Sequence, residues 1–179
     1  MQKTVLNYGL ISGIIVSLWM SVTMLGFGCQ GADNMEWGMA LGFAGMIIAF
    51  AFIFVAIKNY RDKFNGGTVS FGKAFMIGLW ISLIASSFYV VTWLVIYYNF
   101  MPDFMDKYAA KVIEQIQASG APAAEIKEQI AEMEHSREQY KNPIFVMLYT
   151  YMEILPVGLL ITIITALFLK KKPQHPLGA

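Results

Sequence analysis

"AFMIGLWISLIASSFYVVTWLVIYY", residues 74–98, carries no charged side chain. A helix needs roughly 20 apolar residues to cross the hydrocarbon core of a bilayer, and this run exceeds that. The residues just before it, "NGGTVSFGK" (65–73), offer a competing reading. Gly67, Gly72 and Lys73 have the spacing of the phosphate-binding loop G-x-x-x-x-G-K-[ST]. That loop uses backbone N–H groups to cradle phosphates and a hydroxyl to hold Mg²⁺, but the hydroxyl position here is Ala74. It should also follow a buried strand within a βαβ unit, whereas this one follows the charged "KNYRDKF" (58–64). The context therefore argues against nucleotide binding. It argues for a turn built on "NGG", with Ser70 as N-cap of the apolar helix and Lys73 reaching toward headgroups.

Three further apolar runs accompany the first, so that the expected spans are residues 6–28, 38–57, 74–98 and 144–169. Uninterrupted runs of this length mean helices, because lipid offers the backbone no other hydrogen-bond partner. The composition agrees: 57% hydrophobic and only 14% charged, against about 25% charged in an ordinary soluble domain. The formal net charge of +1 gives no reason to expect nucleic acid as a partner. The expected architecture is all-α, a single membrane domain over residues 1–179, in which four transmembrane helices form a bundle.

The placement of Lys and Arg sets the orientation. Lys58, Arg61, Lys63 and Lys73 flank the turn between the second and third spans, Lys170, Lys171 and Lys172 follow the fourth, and Lys3 precedes the first. The connection from Cys29 to Trp37 has only Asp33 and Glu36. Both termini and the glycine turn are then expected on the cytoplasmic side (N-in, C-in). Residues 29–37 and 99–143 are then expected outside, with Trp37, Tyr97, Tyr98, Tyr140 and Phe145 in the interfacial belt. The external segment carries helical apolar stripes at Met105, Tyr108, Val112 and Ile116, and at Ile126, Ile130, Met133 and Tyr140. "ASGAPAAE" (118–125) separates them, and Pro122 suits the first turn of a new helix. An extracytoplasmic amphipathic helical hairpin between the third and fourth transmembrane helices is the expected form.

Small residues recur at helix-packing spacing on every span: Gly9, Gly13, Ser17 and Ser21; Gly38, Gly42, Gly45 and Ala49; Gly78, Ser82 and Ser86; Gly158, Thr162 and Ala166. Such faces let helices approach closely in lipid, within the bundle or against a second copy or another membrane protein. Glu153 is the one formal charge inside a span, three residues before Pro156, which cannot donate to the Met152 carbonyl. An intramembrane carboxyl is a functional candidate. Thr23, Tyr89 and Thr92 are placed at similar depth as hydrogen-bonding partners. The bland alternative is a structural Glu beside a kink.

Other features carry less. The 12 methionines follow no ligand spacing and suit an apolar core. His135 and His175 are expected on opposite sides of the membrane. "GFGC" (26–29) resembles a lipoprotein cleavage site, but Gly26 stands where a large aliphatic residue belongs. The single cysteine excludes an internal disulfide. No catalytic or cofactor-binding constellation is visible, so neither cofactor nor metal is expected.

The stretches "KTVLNYGLISG" (3–13), "FIFVAIKNYRDKFNGGTVSFGKAFMIGL" (52–79) and "YMEILPVGLL" (151–160) resemble the bacterial membrane family named domain of unknown function 4199. The resemblance covers essentially the whole chain and is most specific at residues 58–79. It implies a four-span protein of the bacterial inner membrane. It implies no reaction, substrate or catalytic residue. Three classes of function remain. The favoured one is a non-catalytic scaffold, assembly or accessory subunit acting through helix–helix and hairpin contacts. The second is a small oligomeric transporter or channel using Glu153 beside Pro156. The third is a membrane enzyme.

Overall fold

The computed structural model describes residues 1–26 and 35–171. Six α-helices account for most of them: α1 (Gln2–Ser21), α2 (Met35–Asn59), α3 (Phe71–Phe100), α4 (Phe104–Ala118), α5 (Ala123–Gln139) and α6 (Pro143–Leu169). Four segments are long and apolar enough to cross a membrane: Gln2–Gly26, Trp37–Phe64, Phe71–Phe100 and Pro143–Leu169. α1 and α2 each run on into a π-helical turn, Val22–Gly26 and Tyr60–Phe64.

These helices overrun the boundaries expected from apolarity. α2 and its π-helical turn carry the charged residues Lys58, Arg61, Asp62 and Lys63 before the turn at Asn65. Charge marks where lipid ends and does not stop a backbone from continuing to hydrogen-bond with itself. With 30 residues, α3 is about 45 Å long at 1.5 Å per residue, longer than a hydrocarbon core of about 30 Å. The expected end of the first span at Gly28 lies outside the described residues, as do Cys29, Asp33, Lys172 and His175.

α3 is the centre of the bundle. It packs against α1 and α6, α2 closes the ring between α1 and α6, and α2 also touches α3 across it. The buried core includes Val16, Met46, Phe50, Ile53, Ile77, Ile81 and Ile154. The outward faces are apolar too: Leu18, Val91, Leu160 and Phe168 are all exposed. Helices that are hydrophobic all round belong in lipid.

Small residues set the close approaches. A Cβ added at Gly9 would fall 2.9 Å from Ile84, at Gly13 2.7 Å from Phe88, and at Gly78 2.5 Å from Thr162. At Gly158 it would fall 2.9 Å from Phe50 and Ser82. Gly45 lies under the Trp19 indole, whose N–H donates to the Leu41 carbonyl at 2.8 Å. The Ser82 and Thr162 hydroxyls share a hydrogen bond of 3.3 Å between α3 and α6. Thr92 donates to Ser17 Oγ at 2.8 Å between α3 and α1. Gly42 departs from the pattern: nothing lies within 4 Å of a Cβ built there. Its spacing matches the packing stripes, but none of the described helices covers it.

One end of the bundle gathers the basic flanks. Asn59 at the end of α2 donates to the Tyr8 hydroxyl near the start of α1 (3.0 Å). Val69 and Lys171 exchange backbone hydrogen bonds, Val69 N–H to Lys171 O at 3.1 Å and the reverse at 2.9 Å. The glycine turn and the chain leaving α6 therefore sit together. Gly66 and Gly67 adopt φ of 60° and 76°, a left-handed conformation that glycine enters without Cβ strain.

α4 and α5 pack against each other as a helical pair. Met105 and Ala109 of α4 are buried, whereas α5 buries no residue fully. Arg137 of α5 donates to Asp106 of α4 at 2.7 Å. Pro122 caps α5 and is not in its first turn, and α6 starts with Pro143.

Candidate functional site

On α3, Tyr89, Trp93 and Tyr97 are four residues apart, which places them on one face. All three are buried. Tyr97 meets Tyr140 edge-on with ring centroids 5.4 Å apart, and Trp93 meets Phe104 edge-on at 5.0 Å. The Trp93 indole N–H donates to the Tyr140 hydroxyl at 2.9 Å. Burial pushes the Tyr140 phenol up to about 12, so it remains neutral at any physiological pH. Tyr97 and Tyr140 thus tie the α4–α5 pair to the bundle. Trp37 and Tyr98 of the expected belt are exposed.

Beneath α4 and α5 the helices part around a cavity of about 550 Å³. Every helix contributes to its lining: Met20 from α1, Gly42 from α2, Trp93 from α3, Phe104 from α4, Met133 from α5 and Glu153 from α6, with Tyr140 just past the end of α5. Gly38 lines it as well. The first two small residues of the α2 stripe therefore face open space and give the cavity its width. The remaining packing candidates, Gly9, Gly13, Ser17, Gly45, Gly78, Ser82 and Gly158, face neighbouring helices of the same chain.

Glu153 is exposed to this cavity. The Tyr89 hydroxyl donates to its Oε1 at 3.4 Å, a long hydrogen bond. Thr23 and Thr92 do not join them. Thr23 donates to the Trp19 carbonyl of its own helix at 2.9 Å, and Thr92 is engaged by Ser17. Spacing had placed all three at one depth, but depth does not fix which way a side chain turns on its helix. α6 runs through Pro156 as one helix. Glu153 shares the cavity with Phe104, Tyr108 and Met133, so it faces the α4–α5 side of the bundle.

The glycine turn has its amides engaged internally. Gly67 N–H donates to Arg61 O, Thr68 N–H to Asn65 O, and Val69 N–H to Lys171 O. Ser70 Oγ accepts from Lys73 N–H at 3.3 Å, so Ser70 caps α3. The Lys73 ammonium lies 5.6 Å from the centre of the Tyr60 ring. These amides hold the turn.

Sequence reasoning missed the aromatic and methionine lining of the cavity. Tyr89 with Trp93 on α3, and Tyr149 with Glu153 on α6, are i,i+4 pairs that mark two facing stripes. That spacing was the available signal.

The chain belongs to the family described as a protein of unknown function, DUF4199, whose model matches residues 7–171. No curated protein and no solved structure matches it.

Proposed function

We propose that this member of the DUF4199 family is a non-catalytic scaffold, assembly or accessory subunit of the bacterial inner membrane, crossing it four times with both ends in the cytoplasm. The α4–α5 hairpin is its extracytoplasmic contact surface. Its partners are the bilayer and another membrane protein or a second copy, with no nucleotide, nucleic acid or cofactor required. The observation that carries this reading is the fixing of the hairpin. Trp93 and Tyr97 of α3 hold Phe104 and Tyr140 against the bundle, while Glu125, Glu128, Glu132 and Glu138 of α5 remain exposed. A rigid surface costs less entropy to dock than a flexible loop. The basic flanks at the opposite end support the orientation.

Native purification with identification of the co-purifying proteins tests the role. Reversing charge at Glu128 and Glu132 to Lys is expected to remove specific partners while the variant still inserts and folds. Restoration of a deletion phenotype by a chain lacking residues 103–142 would refute it. For orientation, Ala121→Cys in a Cys29→Ser background is expected to react with an impermeant thiol reagent added outside, and Lys63→Cys is not. The reverse pattern inverts the topology.

A small oligomeric transporter or channel is the second reading, favoured by the place of Glu153 on the cavity wall close to Pro156. Transport sites use intramembrane carboxylates in this way. Glu153→Gln keeps size and hydrogen bonding but cannot ionise. A well-folded Gln variant that behaves as a deletion would favour transport over the scaffold.

A further inference from the structure

The cavity presents a carboxylate with no cation matched to it. None of the ion pairs among the described residues includes Glu153. The one basic side chain on the cavity wall among the described residues, Lys107, is paired with Asp103 at 2.7 Å. The Tyr89 hydroxyl is the only hydrogen-bond donor found on Glu153 among the described residues. A charged group in an apolar setting calls for a partner of opposite sign or for water.

The rest of the wall narrows the chemistry of that partner. Trp93, Tyr108, Tyr140 and Tyr149 surround the space, and Tyr140 and Tyr149 stack at 6.0 Å with their planes 24° apart. Aromatic faces attract cations through their quadrupole, most strongly where water is excluded. A metal ion is a poor match, because no group of three or more His, Cys, Asp or Glu occurs among the described residues and hard cations need several oxygen ligands. An anion would meet Glu153 and the negative faces of the rings. A neutral apolar molecule would leave the carboxylate uncompensated. The volume of about 550 Å³ lies within the range of small-molecule sites.

We propose that the cavity is a binding site for a small organic cation with an apolar body, its charge against Glu153 and its body against Trp93, Tyr140 and Tyr149. This goes beyond the contact role of the hairpin: α4 and α5 supply part of the wall, so the hairpin is also the roof of a binding site. Tyr89 positions the carboxylate, and Gly38 and Gly42 leave room for the ligand.

The test uses the full chain purified in detergent, with radiolabelled benzyltrimethylammonium and its neutral carbon isostere neopentylbenzene as probes. Only saturable binding is counted, which removes partition into micelles. The cation is expected to bind saturably and the isostere at least about tenfold more weakly. Glu153→Gln is expected to weaken cation binding by about tenfold, and Glu153→Asp, which keeps the charge, to retain it. Equal binding of the two probes, unchanged cation affinity in Glu153→Gln, or no saturable cation binding would each overturn the proposal. Should Glu153→Gln fail to fold, the comparison of the two probes on the unaltered chain decides alone.

Discussion

The two ends of the bundle are built from the same four helices and differ in what those helices present to each other. Toward the basic end, α3 and α6 meet through Gly78, Ser82, Gly158 and Thr162, with the backbones close and a hydroxyl pair between them. Toward the hairpin end, α3 and α6 present Tyr89, Trp93, Tyr149 and Glu153, and the helices part around a cavity. Small side chains bring backbones together where lipid provides no hydrophobic drive. Large rings hold them apart, and polar atoms on those rings must then find partners across the gap. One end is therefore sealed by shape and the other is pinned by a few directional contacts.

The largest expected effect breaks the sealed end. Gly78→Val is expected to destabilise the protein by about 3 kcal/mol, or to prevent folding, because its Cβ would overlap Thr162. Gly42→Ala is the matched control at the open end. Nothing lies within 4 Å of its new Cβ, and Ala is favoured over Gly in a helix by up to about 1 kcal/mol. Thermal unfolding in detergent should show a large loss for the first and none for the second. Equal losses would mean that the two ends do not differ in packing.

The next effect is at the carboxylate. Glu153→Ala leaves the Tyr89 hydroxyl, on a residue only 8% exposed, without its acceptor. The expected cost is about 1–3 kcal/mol. Glu153→Gln should lose far less, because an amide oxygen still accepts. If Gln and Ala lose equally, the charge itself and not the hydrogen bond stabilises this site.

Tyr140→Phe removes the acceptor for the Trp93 indole and is expected to cost about 1 kcal/mol. The effect should be local: amide exchange should rise in α4 and α5 and stay unchanged around Gly78 and Gly158. A uniform rise would show that the two ends unfold as one unit.

The smallest effect is the Arg137–Asp106 pair, whose side chains are 40% and 58% exposed. A double-mutant cycle should return only about 0.2–1 kcal/mol, falling with added salt.

The sealed end was the more legible in sequence. Gly9, Gly13, Gly78 and Gly158 recur at spacings that name a helix face, and a small face in lipid has few uses other than close packing. The four spans were legible for a related reason, since apolarity over that length leaves the backbone few alternatives. The open end was not. Gly38 and Gly42 carry the same spacing as Gly9 and Gly13, yet they face a void, because a stripe specifies a face and not the neighbour that covers it. Thr92 sits at the depth of Glu153 but turns toward Ser17. The cavity depends on six helices meeting, and its lining comes from segments as far apart as Met20 and Glu153. Periodicity within one helix does not encode such a meeting.

The backbone pairing of Val69 with Lys171 has a consequence for biosynthesis. It joins a turn translated before α3 to a segment translated after α6. The amide of Val69 has no native partner until the residues after α6 have been made, so this single bridge forms only once the last helix is complete. A nascent chain released before that point lacks the bridge on the side where the basic flanks gather, a mark by which an incomplete bundle differs from a finished one.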